Sequence, residues 1–116
     1  MTEDDFRDVA LGFAGAIEGA HMGHPDFRAN GRIFASLHGN DTTAMVKLTP
    51  EQQAVFQRDH PKMFEPGSGA WGRRGYTKVM LRPARAAAVR AAMLLAYQGV
   101  MAPKARPKAK RSPATR

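Results

Sequence analysis

The stretch "HPDFRANGRIFASL", residues 24–37, decides the fold. At its centre stands Asn30-Gly31, and a two-residue hairpin turn needs positive φ at both central positions, which Asn and Gly tolerate best. After Pro25 the apolar spacing takes a period of two, so residues 32–38 read as a strand leaving that turn. Two histidines, His21 and His24, stand just ahead of it, and they raise the question of a metal or catalytic site.

On the N-terminal side, Phe6, Val9, Ala10, Phe13, Ala14 and Ile17 share one face at helical spacing. That stripe predicts a helix over about residues 3–16 with Thr2 as N-cap, its first-turn acids suiting the helix dipole. Gly12, Gly15 and Gly19 weaken its second half, so the helix is expected to stop before the histidines. On the C-terminal side, "GND" at 39–41 is a second turn and "TTAMVKL" at 42–48 a further extended run. Thr49-Pro50-Glu51-Gln52 reads as a helix start, with Thr at the cap, Pro at the first helical position and Gln three residues after the Thr. That helix is expected to run to about Asp59. "FEPGSGAWGRRG", 64–75, reads as loop and holds the one tryptophan; "YTKVMLR", 76–82, alternates as a strand. Pro83 is expected to open the longest helix, with Val89, Met93, Ala96, Tyr97 and Val100 as its buried stripe. Helices interspersed with short, hairpin-linked strands predict an α+β domain, helices packed on one side of an antiparallel sheet.

With 116 residues the chain is read as one domain. The absence of cysteine excludes disulfides, thiolate zinc sites and cysteine nucleophiles. No apolar run is long enough to span a bilayer, and the acidic start "MTEDDFRD" argues against a leader, so a cytoplasmic protein is expected. Six of the eight net positive charges fall in residues 102–116, "APKARPKAKRSPATR", leaving two for residues 1–101. With three prolines and no large apolar side chain, this tail is expected to be disordered, and the domain to occupy 1–101.

Catalytic and metal chemistry find little support in the residue pattern. Glu18-x-x-His21 and His21-x-x-His24 are fragments of metal motifs, but a site needs three or four convergent ligands. Gly19, Gly23 and Pro25 interrupt any helix that would align them, so the histidines read as loop residues feeding the hairpin. Ser36, Ser68 and Ser112 lie in no nucleophile elbow, and "GSGAWG" lacks the lysine of a phosphate loop. No catalytic residue, metal or cofactor is implied. In the strands, Thr77, Val79 and Leu81 alternate with Tyr76, Lys78, Met80 and Arg82, and Ala44, Val46 and Leu48 with Thr43, Met45 and Lys47. With the small aliphatic set against the helices, the other face carries Lys47, Tyr76, Lys78 and Arg82, with Arg73 and Arg74 in the preceding turn. Cations interleaved with aromatics suit phosphate contact and base stacking, although a solvated sheet face commonly carries Lys, Thr and Arg as well.

These motifs in this order, "HPDFRANGRIFASL", "MVKLTPEQQAVF", "AWGRRGYTKVML" and "LLAYQGV", resemble the MmcQ/YjbR family of small bacterial proteins over residues 6–101. The resemblance implies an α+β fold related to frataxin-like or secretion-chaperone-like sheets, and a DNA-binding architecture described as double-winged. It carries over no catalytic residue. The expected function is therefore non-enzymatic DNA binding by a monomer. Lys104, Arg106, Lys108, Lys110 and Arg111 of the tail would supply non-specific phosphate contacts, and Arg73, Arg74, Lys78, Arg82 and Lys47 a sheet-borne contact. Two rivals stand beside it. One is a small-molecule or protein-binding module with a pocket lined by Phe34, Trp71 and Tyr76. The other is an enzyme using His21, His24 or His38, which would gain if two of these converged on an acid in a cleft.

Overall fold

A computed structural model describes residues 1–103. In chain order it contains α1 (Glu3–Leu11), β1 (Ile17–His21), β2 (His24–Ala29), β3 (Arg32–Leu37), β4 (Thr43–Lys47) and α2 (Pro50–Asp59). β5 (Phe64–Pro66), α3 (Gly69–Arg73), β6 (Tyr76–Met80) and α4 (Ala86–Met101) follow. The six strands form one sheet in the order β1-β2-β3-β4-β6-β5, antiparallel throughout. The helices pack on one side of it, as the apolar patterning predicts. The tail cations Lys104 to Arg111 lie outside the described residues.

The caps follow their sequence signals. The Thr49 hydroxyl accepts from the Gln52 amide at 3.1 Å while Gln52 Oε1 accepts from the Thr49 amide at 3.0 Å, a reciprocal closure of the α2 start. Thr2 and Asp5 close α1 in the same way. Asn30 and Gly31 carry φ of 54° and 73°, the positive pair that the β2–β3 hairpin requires.

Four elements depart from the sequence reading. α1 ends at Leu11, because Gly12 caps it and Gly15 turns the chain at φ 77°. Ile17, counted in the helical stripe, is 62% exposed on β1 instead. The histidines sit on paired strands and not in a loop: His21 is the register partner of His24, joined through Met22 and Gly23 at φ 51° and 80°. Residues 64–75 contain a short strand and a short helix where loop was expected. Gln53 of α2 anchors this segment, donating to the Gly72 and Tyr76 carbonyls and the Thr77 hydroxyl at 3.0–3.1 Å. Finally, α4 starts at Ala86, after a turn at Leu81–Pro83.

The core is built between the helices and one sheet face. Phe6, Phe27, Phe34, Phe64, Leu37, Leu48, Leu81 and Met93 are essentially fully buried there. Phe13, Phe34 and Tyr97 form an aromatic triad with centroids 5.0–6.1 Å apart, within the range of favourable aromatic pairing. A bulge in β3 explains the position of Phe34. Phe27 pairs with Ala35 but Arg28 pairs with Ile33, so Phe34 is the extra residue. Beyond a bulge the alternation changes phase, and both Phe34 and Ala35 enter the core while Ile33 and Ser36 take the other face.

Candidate nucleic-acid interface

The sheet face turned away from the core can be laid out from its register. In one row, Gly19, Asp26, Ser36, Met45, Lys78 and Glu65 follow one another across β1, β2, β3, β4, β6 and β5. A neighbouring row begins His21 and His24. Extending the Asp26–Ser36 pairing by two residues along each strand sets His24 beside His38 at the end of β3. Adjacent strands lie about 4.8 Å apart, so three imidazoles stand side by side.

Asp26 is the one fully buried charge in this face. Its carboxylate accepts from Arg28 Nε at 2.7 Å and Nη2 at 2.9 Å, and lies 2.7 Å from His21 Nδ1. The Arg28 guanidinium, ahead of the opposing effect of burial, holds the Asp26 carboxyl below the usual carboxylate value; His21 adds to the effect. Gly19 makes room for the network: a Cβ there would come within 3.1 Å of both Asp26 Oδ1 and Arg28 Nε. His38 Nδ1 lies 2.6 Å from the Thr43 hydroxyl. Burial, then the neighbouring His24 and Lys78, pushes the His38 imidazole below its ordinary value.

Beside these rows the aromatic and cationic residues interleave. Trp71 of α3 meets Tyr76 edge-on at 5.0 Å. The Lys47 ammonium lies 5.0 Å from the Tyr76 ring centre, and the Arg74 guanidinium 5.5 Å from that of Trp71, both within cation–π range. Lys78 pairs with Glu65 at 3.1 Å. Among the described residues, no carboxylate pairs with Lys47, Arg73 or Arg74. Most other acids lie elsewhere: Glu3, Asp4, Asp5 and Asp8 sit on α1, and Glu18 pairs with Arg7.

Two depressions occupy this region. One, about 490 Å³, is lined by His21, His24, His38, Ser36, Met45, Trp71, Tyr76 and Lys78 among others. The second, about 780 Å³, runs from Arg28, Arg32 and Lys47 toward the C-terminal end of α4. Ile33 and Tyr76 line both, and the second is walled by α4.

The structure thus brings Lys47, Lys78 and Tyr76 to one face, as the alternation of β4 and β6 predicts, and α3 sets Trp71 against Tyr76. It corrects two positions. Phe34 does not line the Trp71 pocket, because the β3 bulge turns it into the core, where it is fully buried. Arg82 does not extend the sheet face: β6 ends at Met80 and Arg82 is exposed in the following turn. Residues that the sequence reading left out of the site are Asp26, Arg28, Ile33, Ser36 and Met45. Their strand alternation was legible, but not the bulge that sets its phase. His21 alone of the histidines bonds a carboxylate, so the two-histidine convergence that an enzyme reading called for is not met among the described residues. No group of three or more His, Asp or Glu side chains among them has a metal-holding arrangement.

No family model matches the chain, and no curated protein matches it. A solved structure does. The chain is similar to the Deinococcus radiodurans protein DR2400, a DUF419 domain, with a TM-score of 0.71 at 19% identity, over 86% of this chain and 78% of that one. The two share a fold. Among the described residues no helix is long and apolar enough to cross a membrane.

Proposed function

We propose that this chain is a cytoplasmic, non-enzymatic DNA-binding protein of the MmcQ/YjbR type. The DUF419 likeness supports the family side of this reading, since DUF419 is related to MmcQ/YjbR. The observation that carries the functional side is the cation-lined groove of the open sheet face together with the adjoining depression walled by α4. Their cations Lys47, Arg28, Arg32 and Lys78 line a path past Tyr76 and Trp71, while α1 concentrates acid elsewhere. Two of these cations are paired, Arg28 with Asp26 and Lys78 with Glu65, which leaves an excess of positive charge to attract a polyanion, and exposed aromatics beside cations accept unpaired bases. Arg73 and Arg74 flank the groove on α3 and its cap, and the tail cations add phosphate contacts without base information.

The test is the salt dependence of DNA affinity. For duplex DNA, log K falls against log[salt] by about 0.9 per phosphate neutralised. Full engagement of the tail alone gives a slope of roughly −5. Replacing Lys104, Arg106, Lys108, Lys110 and Arg111 by Gln in the full chain is expected to flatten the slope by several units. Lys47→Ala with Arg73→Ala is then expected to remove the residual binding. Absence of binding by the unaltered chain at low salt would overturn the reading.

A further inference from the structure

The histidine end of the groove has a chemistry that a phosphate-tracking surface does not need. Both His21 and His38 are tied to the sheet through Nδ1, the first by the buried Asp26 and the second by Thr43. In each the acceptor oxygen orders the ring: Asp26 is a carboxylate held by Arg28, and the Thr43 hydroxyl has Asn40 Oδ1 available as its own acceptor at 3.3 Å. At His21 the Nδ1 proton is donated to the Asp26 carboxylate, which can only accept; at His38 Nδ1 is engaged by the Thr43 hydroxyl, and in both rings Nε2 is the atom left for a ligand. His24 stands between them in register, and a Cβ on Gly39 would lie 3.7 Å from its Nδ1, which places the ring over the end of β3. Ser36 and Lys78 line the same depression from the next row. Its opposite wall is apolar and aromatic, with Met45, Ile33, Tyr76 and the 58%-exposed Trp71.

We infer that this depression is a binding site for a small aromatic phosphate ester, with the ring against Trp71 and Tyr76 and the phosphate among His21, His24, His38 and Lys78. The volume of about 490 Å³ falls in the range of small-ligand sites, which pair an apolar lining with a few convergent polar groups. A phosphate monoester offers more acceptor oxygens than a carboxylate, and the polar end sets the Lys78 ammonium and the Ser36 hydroxyl as donors beside the imidazoles. The charged groups facing the row are Lys78 from β6, Asp26 behind His21, and Glu65, which reaches Lys78 from β5. This site goes beyond the DNA reading, because it is complete without the tail and without an extended polymer.

Trp71 is the sole tryptophan, so its fluorescence reports the site directly. The full chain is titrated with AMP, adenosine, inorganic phosphate and a 5′-phosphorylated single-stranded oligonucleotide. Expected are a saturable fluorescence change and a raised melting temperature with AMP, weaker by at least about ten-fold with adenosine or phosphate alone. His24→Gln and Trp71→Ala, both at exposed positions, are each expected to weaken AMP binding about ten-fold with circular dichroism unchanged. If only the oligonucleotide binds, with the same losses in both variants, the ester belongs to a strand end. Equal binding of AMP and adenosine, no response to either nucleotide source, or unchanged affinity in both variants would overturn the inference. Duplex binding that survives in these variants while AMP binding is lost separates this site from the DNA surface.

Discussion

Arg28 clasps Asp26 with two hydrogen bonds, at 2.7 and 2.9 Å, on a sheet face that is otherwise open to solvent. The carboxylate is fully buried while the guanidinium side chain is 37% exposed. Removing the arginine leaves a buried charge with only His21 beside it, which breaking a buried pair makes costly; solvent access on the Arg28 side reduces the figure. Arg28→Ala is expected to destabilise by about 1–3 kcal/mol in urea unfolding. Because the folded Asp26 carboxyl is held below its ordinary value of 3.8, its stabilisation is present above that value and lost as pH falls through the folded one. The variant should lose that acid-limb dependence.

His38 gives a pH linkage of the same sign, in a higher window. The folded imidazole sits below its ordinary value of 6.5, first through burial and then through His24 and Lys78. Below 6.5 the unfolded chain takes up a proton that the folded chain resists. Stability is expected to hold above that pH and to decline as pH falls toward the folded value. His38→Gln should flatten the melting-temperature profile between about pH 7 and about pH 5.

Gly75 stands at φ 107°, and a Cβ on it would lie 1.9 Å from the Leu48 carbonyl oxygen. The collision is with backbone, so no side-chain adjustment relieves it. Gly75→Ala is expected to cost more than about 3 kcal/mol or to prevent folding, combining overlap with a disfavoured φ. An unchanged urea midpoint would mean that β6 does not approach the start of α2 this closely.

The two hairpin turns make a matched pair of tests. Gly31→Val and Gly23→Val both place a β-branched residue at positive φ, 73° and 80°, and each is expected to cost more than about 1 kcal/mol. Met22, at φ 51° and 92% exposed, occupies a position where Asn is better accommodated. Met22→Asn is expected to stabilise by about 0.5 kcal/mol by calorimetry.

Local chemistry made much of this fold legible in advance. Asn30-Gly31 forces a hairpin, Thr49-Pro50-Glu51-Gln52 forces a helix start, and the alternation of residues 42–48 and 76–82 assigns Lys47, Tyr76 and Lys78 to the open face, because each depends only on neighbours in sequence. β1 escaped that reading. As an edge strand exposed for most of its length, "IEGAH" has no apolar alternation to betray it, and Met22 is an unusual turn residue. What only the tertiary structure decided is phase and proximity. The single extra residue of the β3 bulge sends Phe34 into the core beside Ala35 and leaves both Ile33 and Ser36 on the far face. Register then ranks His21, His24 and His38 side by side, although His38 stands fourteen residues beyond His24 in the chain. Side-chain direction in a sheet has a period of two, so one bulge reverses every later assignment. The bulge answers to packing across three strands, and no short window of sequence contains that information.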